Sequence, residues 1–234
     1  MRPLDPNCTR EQDMYKALIS DFDGTLFDSQ RAISAVLLET FKERDVAPPT
    51  IGAIEASISM GITLEETLEA LRPELKGHPE QRDAWVVHYR KIYNAGLGIT
   101  ASSPFPGLAA MLEDLRAKEI PVIVVSNKGE AAVWNTLKHY AVDHMVCQVV
   151  AAFSELPTKP HPDSFFHRIL PNYEHLQPND FLVFGDTATD MKYARAIGAG
   201  AAYASYGYGK PQDSLSYEPD LVVTDMPLLL RAFE

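Results

Sequence analysis

Two runs in this chain, IPVIVVS at 120–126 and DFLVFG at 180–185, are nearly continuous in apolar residues. A strand with one wet face alternates apolar and polar side chains, so such runs are expected where a sheet is covered on both faces. Three more runs read as strands: YKALIS at 15–20, AAYAS at 201–205 and DLVVT at 220–224. Between them the pattern shifts to helical spacing. Leu108, Met111, Leu112 and Leu115 recur at i, i+3, i+4 and i+7, and similar stripes occupy about 130–140, 161–170 and 188–197. Strand and helix in alternation predict an α/β fold, a doubly wound, Rossmann-like parallel sheet.

From about residue 30 to 103 the alternation stops. Helical patterns cover 33–44, 63–71 and 79–94 with no strand between them, and the exit, SSPFPG at 102–107, reads as a hinge or linker. The chain is expected to divide into a discontinuous core of residues 1–29 and 104–234 and an inserted α-helical cap of residues 30–103. The first dozen residues carry neither pattern and are expected to be disordered or loosely docked.

Composition removes several classes of function. A formal net charge of −11 opposes a nucleic-acid partner, which needs cations to displace counterions. The two cysteines, Cys8 and Cys147, form no CxxC, so neither a disulfide framework nor a zinc site is suggested and a reducing cytoplasm fits. No stretch approaches the roughly 18 apolar residues of a membrane span, and the start lacks the apolar segment of a signal peptide. A soluble cytoplasmic protein is the expectation, and oligomeric state is not legible.

In open parallel sheets, ligands bind beyond the carboxyl ends of the strands. Asp21 and Asp23 follow the first run, Ser126 and Asn127 end the second, Asp186 and Asp190 of GDTATD follow the run at 180–185, and Lys159 lies in TKPHPD. An aspartate at a strand end is often a turn former or helix cap. Several brought together would raise one another's pKa values unless a cation intervened, and Mg²⁺, which prefers oxygen ligands, is the economical one. A carboxylate beside it can attack phosphorus to form an aspartyl-phosphate. A second acid two residues on could protonate the leaving oxygen and then activate water. Gly24 permits close backbone approach to a phosphate, and Pro160 restricts how Lys159 is presented.

DFDGTLFDS, VVSN, TKPHPD and FGDTATD resemble, in order, the four motifs of the haloacid dehalogenase superfamily, and the resemblance runs from about residue 15 to the C-terminus. It implies Asp21 as nucleophile and metal ligand, and Asp23 as general acid and base with its carbonyl on Mg²⁺. Gly24, Thr25, Ser126, Asn127 and Lys159 would hold the phosphoryl group, with Lys159 also neutralising charge. Asp186 would ligate the metal, and Asp190 would do so through water or as a support. The stretch GYG at 207–209 resembles that of phosphoglycolate phosphatase-like members. The activity implied is a Mg²⁺-dependent phosphatase acting on a small phosphorylated metabolite, a phosphoglycolate-like monoester. A sugar phosphomutase resembling β-phosphoglucomutase, or a catalytically silent metal-binding regulatory or interaction protein, remains open. Within the cap, SMGITLEE at 59–66 is a candidate loop facing the site, and Arg31 is the cation placed where cap and core meet.

Overall fold

The alternation of sequence patterns becomes, among the described residues, eight strands: β1 (Ala17–Ser20), β2 (Phe27–Asp28), β3 (Ser103–Pro104), β4 (Val122–Gly129), β5 (Gln148–Ala152), β6 (Phe181–Gly185), β7 (Gly200–Ala204) and β8 (Leu221–Val223). The computed structural model describes residues 15–152 and 156–234, so the expectations for the first dozen residues and Cys8 lie outside the described residues. Six strands form one sheet in the order β5-β4-β1-β6-β7-β8, and every pairing in it is parallel. β1 is central, with Leu18 opposite both Val122 and Leu182.

Among the described residues ten α-helices accompany them: α1 (Gln30–Glu43), α2 (Ile51–Ile58), α3 (Leu64–Leu71), α4 (Pro79–Ile92), α5 (Gly98–Thr100), α6 (Leu108–Ala117), α7 (Glu130–His139), α8 (Ala188–Ile197), α9 (Pro211–Leu215) and α10 (Met226–Leu229). Successive strand residues point to opposite faces, and both faces are dry. Leu18, Val124 and Phe184 pack with Leu108, Met111 and Leu115 of α6, while Ile19, Ile123 and Val183 pack with Met191, Ala194 and Ile197 of α8. Burying each such side chain contributes about 1.5–3 kcal/mol, which explains why the central runs carry no polar alternation.

Helices α1 to α4 build an apolar cluster of their own from Val36, Phe41, Ile54, Leu68 and Trp85, joined by Ala132 of α7. Local signals start these helices. Thr63 caps α3 by accepting from the Glu66 N–H at 3.1 Å while the Glu66 carboxylate accepts from the Thr63 N–H at 2.8 Å, and Pro79 opens α4, where no N–H is needed. Both chain crossings between the helical segment and the sheet are tied together, because β2 and β3 pair antiparallel, Asp28 opposite Ser103. The expected linker at 102–107 is therefore partly a strand.

The stripe at 161–170 does not form a regular helix. One wide turn, Phe165–Ile169, is followed by a tighter one, Leu170–Asn172. Pro171 removes a backbone donor, so the ladder cannot run past it.

Candidate active site

β1, β4 and β6 are parallel neighbours, so their carboxyl ends lie side by side and the residues that follow them meet. The Asp21 N–H donates to the Phe184 carbonyl at 2.8 Å, which fixes the first acid against β6. Lys159 Nζ donates to Asp21 Oδ1 at 2.7 Å and to Asp190 Oδ1 at 2.6 Å. The other Asp190 oxygen accepts from the Thr187 N–H and hydroxyl at 3.0 and 2.8 Å, closing the first turn of α8. Asp190 is thus both a helix cap and the partner of Lys159. Asp186 accepts from the Thr25 hydroxyl at 3.2 Å and from the N–H groups of Tyr208 and Gly209 at 2.7 and 3.3 Å.

Oxygens of Asp21, Asp186 and Asp190 lie within 4.8 Å of one another. At an effective dielectric of about 20, each like-charged pair at that range costs roughly 3 kcal/mol or more. Burial, with Asp190 and Asp23 adding to it and Lys159 opposing it, pushes the Asp21 carboxyl up to about 7. Burial, then Asp21 and Asp190, hold Asp186 well above the usual carboxylate range. Burial works against the Lys159 charge, yet Asp190 and Asp21 outweigh it and its pKa stands above the ordinary value. One lysine does not balance three carboxylates. The donor set is all oxygen, which suits a hard divalent cation such as Mg²⁺.

A pH dependence follows. A carboxyl whose native pKa is raised destabilises the fold above that pKa, and the cost is relieved as pH falls through it toward the unfolded value. Metal-free protein is therefore expected to melt at a higher temperature at pH 6 than at pH 8, with Mg²⁺ adding more stability at pH 8. A thermal-shift series with and without chelator measures both. Equal Mg²⁺ shifts at the two pH values would count against the cluster as the binding site.

Asp23 faces a different partner. Lys128 Nζ donates to both its oxygens, at 3.0 and 3.1 Å, and the Ser29 hydroxyl donates to it as well. Burial opposes the Lys128 charge, but Asp23 outweighs it and the pKa is raised. Sequence reasoning passed over Lys128, although it directly follows VVSN on the same strand end. Asn127 donates through Nδ2 to the carbonyls of Gly61 and Lys159, at 3.0 and 3.1 Å, and its Oδ1 is buried without a partner. The Ser126 hydroxyl accepts from the Lys128 N–H at 3.3 Å, and Gly129, not Ser126, is the residue that precedes α7.

Gly24 has φ +80°, and a Cβ there would overlap the Asp186 carboxylate, so only glycine fits. Thr25 is fully buried and spends its hydroxyl on Asp186. The GYG stretch has more substance than its composition suggested. Besides the two amides on Asp186, the Tyr208 hydroxyl accepts from the N–H groups of Ser29 and Gln30 at 2.6 and 3.0 Å and donates to Asp28 at 2.7 Å. Ordinary-looking glycine spacing hid these contacts.

The acids open into a cavity of about 250 Å³ that includes Asp21, Asp23, Ser126, Asn127, Lys159, Asp186 and Asp190 on the sheet side. Gly61, Ile62 and Leu64 of the 59–66 stretch line its other side, and the Thr189 hydroxyl donates to the Met60 carbonyl at 3.0 Å. Arg31 is exposed and does not line the cavity; the cap cation that does is Arg90 of α4. Arg31 points outward because its position on the first turn of α1 falls between the buried Ala32 and the solvent face.

Among the described residues, no helix is long and apolar enough to cross a membrane. A phosphoglycolate phosphatase of Nitrosospira multiformis is 28% identical over 214 residues, covering 90% of this chain and 92% of that protein. The tyrosine-protein kinase PtkA of Mycobacterium tuberculosis is 28% identical over 193 residues, 82% of this chain and 63% of that one. The solved structure of a haloacid dehalogenase-like hydrolase from Streptococcus pneumoniae superposes with a TM-score of 0.80 at 28% identity, covering 94% of this chain and 99% of that one. Residues 18–204, which contain β1, the inserted helices and every acid of the cluster, match the haloacid dehalogenase-like hydrolase family model. The ordered motifs, the parallel sheet and these matches agree: the chain belongs to the haloacid dehalogenase-like hydrolase family.

Proposed function

We propose that the protein is a Mg²⁺-dependent phosphatase that hydrolyses a small, phosphoglycolate-like phosphomonoester through an aspartyl-phosphate on Asp21. The observation that carries this reading is the meeting of Asp21, Asp186 and Asp190 within 4.8 Å, with Lys159 hydrogen-bonded to Asp21 and Asp190, at the floor of a cavity roofed by helices. The names of its relatives do not choose the substrate, since one is a phosphatase and another a kinase. Both names concern a phosphoryl group.

In this mechanism Asp21, and Asp186 with Asp190 in support, hold the metal, which when bound supplies positive charge to the phosphoryl oxygens. Lys159 neutralises Asp21 and the phosphate together, the Ser126 hydroxyl donates to a phosphoryl oxygen, and Asn127, with its Nδ2 on the carbonyls of Gly61 and Lys159, positions that end of β4 beside the phosphate. Thr25 and the amides of Tyr208 and Gly209 orient Asp186, and Gly24 keeps the backbone close. Asp21 attacks phosphorus; the bond to the leaving oxygen breaks, and Asp23 gives that oxygen a proton. Asp23 then takes a proton from the water that releases inorganic phosphate. Residues 30–103 act as the cap that excludes bulk water during the first step.

Quenching during turnover and reducing with borohydride tests the covalent step. An aspartyl-phosphate at Asp21 would be reduced to homoserine and found by peptide mass spectrometry, and its absence under saturating substrate would sink the mechanism. Asp23→Asn is expected to slow turnover by about 10²–10⁴-fold, the usual worth of a positioned acid or base, with the fold retained. Steady-state hydrolysis of p-nitrophenyl phosphate measures it, and a loss under about 10-fold would remove Asp23 from proton transfer.

A further inference from the structure

The cavity carries two cations that the phosphatase mechanism above does not use, Lys128 at the end of β4 and Arg90 of α4 in the cap. The Lys128 side chain is only 8% exposed, and both hydrogen bonds of its Nζ go to the single carboxylate of Asp23. Its Nζ also lies 4.2 Å from the centre of the Tyr93 ring. An ammonium has three N–H groups, so one remains to turn from the ring toward a ligand.

Arg90 stands next to it. Its Nη2 donates to Glu65 at 3.2 Å, whereas its Nε is shielded from water and has no partner. A Cβ placed on Gly129, the residue after Lys128, would lie 3.4 Å from that Nε. Nε itself is packed against Gly129, and the cavity meets the rest of the Arg90 side chain. The opposite wall is largely apolar, from Ile33, Ile58, Ile62 and Leu64, with Thr67 and Tyr89 beside them. Nearby Tyr93 and Asn94 spend polar atoms on Ser102 and Asn135. Glu130 also lines the cavity, but it is only half-buried, where water screens its charge.

We propose that the Arg90 guanidinium and Lys128 Nζ form a second anion subsite, which recognises a carboxylate on the leaving-group side of a short phosphomonoester. The proposal rests on the phosphatase reading and deepens it by assigning the residues that read the substrate. The phosphoryl end sits at the aspartates and Lys159, the carboxylate end at Arg90 and Lys128. A guanidinium and an ammonium make charge-assisted hydrogen bonds that a neutral hydroxymethyl group cannot replace. A cavity of about 250 Å³ suits a substrate of a few carbons. The local cations also answer how a protein of net charge −11 admits a doubly anionic metabolite.

Arg90 is the residue to vary, because it touches none of the aspartates. The ratio of kcat/KM for 2-phosphoglycolate to that for 2-hydroxyethyl phosphate, which replaces the carboxylate by a neutral group at similar length, is the readout. The wild-type ratio is expected to exceed about 10, Arg90→Met to lower it by about 10-fold or more, and Arg90→Lys to fall between. A wild-type ratio near one, or a ratio unchanged in Arg90→Met, overturns the subsite. Binding of the two esters to Asp21→Asn protein with Mg²⁺, by calorimetry, reads recognition without turnover and with Arg90 intact. Tighter binding of 2-phosphoglycolate supports the subsite, and equal affinities refute it. Selective binding without any wild-type hydrolysis of p-nitrophenyl phosphate would discard the phosphatase reading and leave the subsite standing.

Discussion

Asp21→Asn is expected to abolish turnover while leaving the fold intact. The amide is nearly the same size, so its neighbours keep their packing, but it is not a nucleophile and it removes one negative charge from the cluster. Loss of that charge also removes the source of the raised carboxyl near pH 7. The variant is therefore expected to be at least as stable as wild type without metal, and to show less change in melting temperature between pH 6 and pH 8. Activity on p-nitrophenyl phosphate measured with freshly purified protein, alongside a thermal melt, tests both halves. Residual activity near the wild-type rate would rule out covalent catalysis, and mass spectrometry excludes deamidation back to aspartate.

Removing the divalent cation should be as severe. Exhaustive chelation is expected to silence hydrolysis, and Mg²⁺ to restore it. Asp186→Ala should raise the Mg²⁺ concentration needed for half-maximal rate by at least about 10-fold or eliminate activity, because its carboxylate is one of the three in the cluster and is held in place by three hydrogen bonds. Titrating Mg²⁺ against rate in both proteins separates weakened binding from a collapsed fold, which a melt would reveal. Full activity in excess chelator would refute the metal requirement.

Legibility in the sequence followed burial. β4 and β6 were plain because both faces of the central strands must be apolar, and their ends led directly to Ser126, Asn127 and Asp186, as the end of β1 led to Asp21. The edge strand β5 was missed. Gln148 and the alanines at 151 and 152 give it neither alternation nor a continuous apolar run. α2 was missed too, since its eight residues bury only Ile54 and Ser57 and leave no stripe to read. At the site, residues whose role depends on their own motif were legible. Lys128, Arg90 and Tyr208 were not, because their importance comes from what other parts of the chain bring to them: Asp23 across 105 residues for Lys128, Asp28 across 180 for Tyr208. Arg31 was favoured over Arg90 on closeness along the chain, and helix geometry reversed that order.

The pairing of Asp28 with Ser103 has a consequence for how such a chain can be built and rebuilt. Antiparallel partners stand about 5 Å apart at Cα, so the helical segment leaves the core and returns to it through one doorway. Whatever length of chain lies beyond that doorway imposes no strain on the sheet, which is closed whether the excursion is seventy residues or a tight turn. The roof over the aspartates is in this sense a replaceable module: lineages or designers can exchange it to change what is admitted, while the phosphoryl chemistry beneath keeps its geometry.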